Sequence, residues 1–158
     1  MSQPSAKYLK TLTRYYEEEI EGEAYFHALA DRLSDADQCH KMRLMAEVET
    51  FAAAAVRPLI DKYGLTPTPA VQLHATARQD AGKDMRDWAA LISDMRRTFP
   101  GYIAEFHALE AMAPPEDINA LKVLTNHEYA AIDFLEREAV GDPDSTEPMR
   151  RYLQSGTV

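Results

Sequence analysis

A single cysteine, Cys39, stands in the 158 residues, so the chain can form no internal disulfide and carries no Cys-x-x-Cys redox or zinc motif. No apolar run approaches the ~20 residues needed to cross a bilayer. The opening stretch, Met1 to Tyr8, lacks the apolar segment of a secretory leader. These absences suit a soluble, cytoplasmic protein. Basic residues are in deficit: 17 Lys and Arg stand against 26 Asp and Glu, a formal net charge of -9. General binding of nucleic acid or of an anionic membrane needs a basic surface, and both are excluded on this count. No Gly-rich phosphate loop and no Gly-x-Ser-x-Gly elbow occurs. Nothing indicates haem, flavin or nucleotide. No segment alternates apolar and polar residues with β-branched enrichment, so no strand is expected.

What the chain does have is long stretches free of breakers and rich in Ala, Leu, Met and Glu, which read as helices. The first is expected over about 6–33, with Leu9, Leu12, Tyr16, Ile20, Glu23, His27 and Ala30 on one face. A second runs to about Tyr63, with Met42, Met45, Glu49, Ala52, Ala53, Val56 and Ile60 inward and Pro58 kinking its end. Periodicity then fades over about 64–82, a long connection with at most a turn of helix around Ala75–Arg78. A third helix carries Trp88, Leu91, Ile92, Met95, Phe99, Ile103 and Phe106, and Pro100-Gly101 should bend or interrupt it. The fourth spans about 116–140, with Leu121, Leu124, Glu128, Ala131, Ile132 and Leu135 inward. A short helix over 147–153 follows. The expected fold is all-α: a four-helix bundle with one long crossover, the ferritin-like arrangement. We read residues 1–158 as one domain, with the bundle over about 6–140 and a C-terminal extension over 141–158.

Glu23, Glu49 and Glu128 each interrupt an apolar stripe. A carboxylate facing a core is costly unless it is paired, protonated or bound to metal. A hairpin turning near residue 35 brings Glu23 and Glu49 to nearly the same height. Carboxylates converging at mid-bundle from facing helices are how di-metal sites are built. Glu17, Glu18, Glu21 and Glu47 project elsewhere and read as solvated charge. Met42, Met45, Met85, Met95 and Met112 read as core filler, Tyr15, Tyr16 and Tyr25 as packing residues, and Cys39 as inert. His40 and His74 read as exposed, and His107 as structural or surface.

Four stretches, in order, carry a resemblance: Glu21-Gly22-Glu23-Ala24, Ala46-Glu47-Val48-Glu49-Thr50-Phe51, Phe99-Pro100-Gly101-Tyr102-Ile103-Ala104-Glu105, and His127-Glu128. Over roughly residues 8–140 the chain resembles a ferritin-like protein of the rubrerythrin type. The resemblance implies one Glu on the first helix, Glu-x-x-His on the second and fourth, and a carboxylate on the third. Glu23, Glu49 and Glu128 fill three of these places. Ala52 and Ala131 stand where the histidines would be. On the third helix the register offers Leu91 and Asp94, and Asp94 points off the stripe. His27, one turn beyond Glu23, and His127, beside Glu128, are near enough to replace the missing imidazoles, and Glu19 lies one turn before Glu23. The metal ligands expected from this set are Glu19, Glu23, His27, Glu49, His127 and Glu128.

By the same resemblance the ions would be a non-haem iron or manganese pair and the chain a homodimer. With one cysteine there is no four-thiolate iron centre, so redox chemistry would draw on an external electron donor. Three readings stay open at this point. One is a metal-dependent oxidoreductase or oxygen- or peroxide-handling protein. Another is a metal-free ferritin-like module with a relic site, its carboxylates protonated and bonded to one another or to Tyr16, which binds a partner or a small molecule. The third is a metal-free enzyme using a buried Glu as acid or base.

Overall fold

The computed structural model describes residues 3–158. Met1 and Ser2, the first residues of the stretch read for a leader, lie outside the described residues. The chain is all-α, and no strand occurs among the described residues. Its helices are α1 (Ala6–Asp31), α2 (Ala36–Lys62), α3 (Ala70–Asp84), α4 (Trp88–Thr98), α5 (Gly101–Met112), α6 (Ile118–Ala139) and α7 (Glu147–Ser155), with a 3-10 turn at Pro115–Asp117. None of them is long and apolar enough to cross a membrane.

Local chemistry sets the boundaries. The hydroxyl of Ser5 accepts the amide of Tyr8 at 3.0 Å to open α1, and Asp35 accepts that of Gln38 at 3.0 Å to open α2. Gly64, at φ 60°, ends α2 in the left-handed region, and Leu65 then donates back to the carbonyl of Ile60 at 3.0 Å. Pro58 lies within α2, which continues to Lys62. Pro100 and Gly101 interrupt the expected third helix outright, giving α4 and α5.

The expected connection over 64–82 is mostly helix. Helix α3 spans 15 residues and packs along α1. Its buried stripe is only Leu73, Ala77 and Ala81. Two of these are alanines, so the periodic signal is faint, although spacing by four is helical.

The long helices α1, α2 and α6 pack together as a bundle, with α4, α5 and α7 against α6. The buried apolar residues fall into two blocks. One holds Tyr8, Leu12, Tyr15, Val56, Ile60, Leu109, Leu121 and Leu124. The other holds Phe26, Leu29, Met42, Met45, Ile92, Met95, Phe134 and Leu135. Between them, on α1, α2 and α6, lies a polar layer at Glu19, Glu49 and His127-Glu128.

Each end of the bundle is closed by a carboxylate. At one end Asp117, fully buried, accepts from Tyr8 Oη at 2.8 Å, Tyr63 Oη at 2.6 Å and Lys62 Nζ at 2.8 Å. Burial works against its charge, but these three donors outweigh burial and hold the carboxyl below its ordinary range. At the other end Glu138 accepts from Lys41 Nζ at 2.9 Å, Trp88 Nε1 at 3.2 Å and Ser145 Oγ at 2.7 Å.

Replacing Asp117 with Ala strands two tyrosine hydroxyls. Urea denaturation should show a loss of about 2 kcal/mol, the cost of leaving the buried Tyr8 hydroxyl unsatisfied together with the lost bonds from the half-buried Tyr63 and from Lys62. A loss below about 0.5 kcal/mol would mean that surface-type interactions close this end.

Candidate metal centre

The polar layer takes Glu19 from α1, Glu49 from α2 and the adjacent pair His127 and Glu128 from α6. On α1 the core stripe runs Tyr8, Leu12, Tyr15, Glu19, Phe26 and Leu29, all buried, with Gly22 at the same spacing. This stripe lies one residue away from the expected one, and Glu19 rather than Glu23 is its carboxylate. Glu19 is 4% exposed, His127 2% and Glu128 6%. Glu49 comes from the expected face of α2 and is 13% exposed at its side chain.

The ring of His127 organises the cluster. Its Nδ1 hydrogen-bonds the carbonyl of Leu124 one turn back. A carbonyl only accepts, so Nδ1 carries a proton. Its Nε2 then faces Glu19 Oε2 at 2.9 Å, Glu49 Oε2 at 3.3 Å and Glu128 Oε2 at 3.7 Å. Phe106 of α5 stacks edge-on beneath the imidazole, with centroids 5.5 Å apart. Tyr152 of α7 is fully buried and donates to the carbonyl of Val123 at 2.8 Å. Burial, then the charges of Glu19 and Glu49, holds its phenol well above the ordinary range.

One ligand atom each from Glu19, Glu49 and His127 fall within 4.8 Å of one another. A neutral imidazole protonated on Nδ1 turns a lone pair on Nε2 towards the carboxylates. That is untenable unless a cation, proton or metal, lies between them. The protonated form leaves a defect. Glu19 Oε2 is buried without a hydrogen bond, as is Glu128 Oε1. A metal would engage such oxygens without needing an N–H axis. Bonds of about 2.0–2.1 Å place neighbouring ligand atoms about 2.9–3.4 Å apart in octahedral or tetrahedral geometry. The contacts at 2.9 and 3.3 Å fit that spacing.

Without metal the cluster holds protons. Burial, reinforced by the charge on Glu49, pushes Glu19 well up. Burial also opposes the charge on Glu49, but hydrogen bonding from Glu19 and the charge of His127 overcome it and keep Glu49 ionised. Burial would strip His127 of its proton; the charges of Glu19 and Glu49 prevail and hold it protonated. Glu128 is pushed up to about 8, chiefly by burial.

Of the expected ligands, Glu19, Glu49, His127 and Glu128 come together. Glu23 and His27 do not join them. They line a separate cleft between α1 and α3 with His74 and Arg78. The height argument could not choose between Glu19 and Glu23, which lie on either side of the level of Glu49. The helical phase chose, and α3 had misled it by burying a second face of α1, where Ala24 and Ala28 lie. The level match of Glu23 with Glu49 is therefore replaced by Glu19 with Glu49. Asp94 pairs with Arg86 at 2.8 Å. The carboxylates of α5 are also engaged elsewhere, Glu105 by Tyr15 at 2.8 Å and Glu110 by Thr125 at 2.7 Å. Tyr16 is taken by Arg57 at 2.9 Å rather than by a carboxylate.

Gly22, part of the Glu21–Ala24 stretch, receives no role of its own from the sequence. A Cβ there would lie 2.8 Å from Glu49 Cδ and 3.0 Å from its Oε1, so the bare backbone is what admits the Glu49 carboxylate. Glycine inside a helix was the available signal. Glu18 and Glu21 were read as solvated, yet both line a cavity of about 310 Å³ that reaches Glu19, Glu49, His127 and Glu128. Compared with protein-family models, with curated proteins and with solved structures, the chain matches none, so no family is identified.

The raised Glu128 gives a signed prediction. Its proton is held more tightly in the folded state than in the unfolded state, where the ordinary value is near 4.5. Its stabilising contribution is complete below that value and is lost as pH rises through about 8. The melting temperature of metal-free protein should fall over this window, and Glu128→Gln should flatten the fall. An unchanged slope in the variant would remove Glu128 as the cause.

Proposed function

We propose that the protein is a metal-binding, ferritin-like relative of the rubrerythrin type whose centre has been rebuilt around one ion. Glu19, Glu49 and His127 would be the ligands, and Glu128 would flank them. The observation that carries this reading is the convergence of two carboxylate oxygens on an Nε2 whose ring partner, Nδ1, is committed to a backbone carbonyl. Ligating histidines are held in this way, with the second ring nitrogen fixed by an outer acceptor.

The rubrerythrin-type pattern places an imidazole one turn after a glutamate on the second and fourth helices. Here Ala52 and Ala131 occupy those places and are buried in the apolar blocks. The imidazole comes instead from the residue preceding Glu128. One imidazole and two carboxylates are a mixed nitrogen and oxygen set of the kind that suits iron, manganese or zinc. The cavity beside the triad leaves room for a further ligand. An iron or manganese ion there would supply oxygen- or peroxide-level redox chemistry.

This chain's own residues have defined parts in that reading. His127 and Glu19 give up their protons to admit the ion, so affinity should rise with pH. Glu128, neutral near pH 7, holds a proton beside the centre. Phe106 excludes water from one face of the imidazole, and Tyr152 closes the floor.

Two measurements test the proposal. Titration of chelator-treated protein with manganese or ferrous ion should show close to one ion per chain, with proton release measured in buffers of different ionisation enthalpy. Glu49→Gln should weaken binding at least tenfold. Two ions per chain would restore a di-metal centre. No binding by a folded protein would leave the metal-free readings. Gly22→Ala should also weaken binding at least tenfold while preserving or raising the melting temperature, since Ala in a helix interior gains about 1 kcal/mol over Gly. Unaltered affinity in that variant would show that the approach of Glu49 to α1 is not what builds the site.

A further inference from the structure

The cavity that reaches the triad has walls that the triad does not explain. Its outer part is formed by α1, by α3 and by the break between α4 and α5. Glu18 and Glu21 come from α1, and Asp80 and Asp84 from α3. No lysine or arginine lines it. Glu21 and Asp80 form no ion pair among the described residues. Glu18 is met by Arg14 at 3.2 Å, and Asp84 accepts from Tyr25 at 2.8 Å.

Five rings also line it, Tyr25 and Phe26 from α1 and Phe99, Tyr102 and Phe106 from the side of α4 and α5. Phe26 meets Phe99 edge-on at 6.4 Å, and Tyr102 lies 6.4 Å from Phe106. At the inner end Glu128, 6% exposed, also lines the cavity, and its Oε1 is without a partner. That oxygen is a buried acceptor at the inner end, apart from the outer carboxylates.

We infer that this cavity receives a small organic ammonium ion, held between the carboxylates of α1 and α3 and the aromatic wall. Several chemistries compete for such a space, and the walls decide among them. An anion would meet only carboxylates. A neutral apolar molecule would strip water from Glu18 and Glu21 without replacing it. A bare metal ion would leave the rings idle. An alkylammonium satisfies both walls, because aromatic faces attract cations and its carbon atoms bury against the rings. A volume of about 310 Å³ is at the small end for ligand pockets and admits a guest up to roughly twice the size of benzene, which a cavity of about 150 Å³ holds. Burial, and then the charges of Glu18 and Asp80, raises Glu21, in keeping with crowded carboxylates that a cation would relieve. This inference goes beyond the metal reading and uses side chains outside the triad.

The test is calorimetric titration of the full chain with butylammonium and choline, alongside butanol and butyrate. It is run on chelator-treated protein and on protein exposed to manganese. The cations should bind at least tenfold tighter than butanol, with affinity falling as salt rises. Butyrate should not bind. Glu18→Gln combined with Asp80→Asn should weaken both cations by about fivefold or more, as expected for charges at a partly exposed site. Tyr102→Leu should weaken choline severalfold and leave butanol unchanged. Equal binding of butylammonium and butanol, or no binding of either cation by protein whose helical content and melting temperature are intact, overturns the inference. Manganese binding without ammonium binding would sink this inference and spare the metal centre. Ammonium binding by protein that takes up no metal would do the reverse.

Discussion

Three glutamates and one imidazole meet in the middle of this bundle with too little positive charge among them. His127 gives one ring nitrogen to the carbonyl of Leu124, leaving a single Nε2 edge for Glu19, Glu49 and Glu128. The surrounding structure follows from that shortage. The apolar core parts into two blocks around the layer. Glycine replaces a side chain at position 22 so that Glu49 can reach in. Two carboxylate oxygens are buried with no hydrogen bond. A fold optimised only for stability would replace such a layer with hydrophobic residues, since burying charge without full compensation is costly.

Much of this was legible in the sequence because helices announce themselves by period. The inward faces of α2 and α6, including Glu49 and Glu128, follow directly from their apolar spacing. His127 was legible only as the neighbour of Glu128. Helix α1 was harder. It buries two faces, one in the bundle and one under α3, so two stripes one residue apart both look apolar. A phase choice between them moves every candidate ligand by about 100° around the helix. That single ambiguity put Glu23 on the expected inner face, left Glu19 as its neighbour one turn back, and brought in His27.

Helix α3 is the common source of the error and of the cavity. Alanines at 77 and 81 give almost no hydrophobic signal, yet they let α3 lie close against α1. Small residues are informative about distance and silent about burial. The cavity wall formed by Asp80 and Asp84 was therefore invisible, and Glu18 and Glu21, which it covers, read as ordinary solvated charge. Spacing along one helix reveals which side chains share a face. It does not reveal which neighbour arrives to cover a second face.

The closures at Asp117 and Glu138 bear on more than folding. They tie the two ends of α6 to the opposite ends of α2, and the polar layer lies between them. A bundle fastened only at one end can relieve pressure at its centre by spreading at the other. This one is fastened at both. The span from Nε2 on α6 to the oxygen of Glu49 on α2 is thereby held by the frame as well as by side-chain preference. A frame of that kind leaves any adjustment at the centre to the side chains. Adjustment there falls to the rotamers of Glu49, His127 and Glu128, since the two helices that carry them are held at both ends.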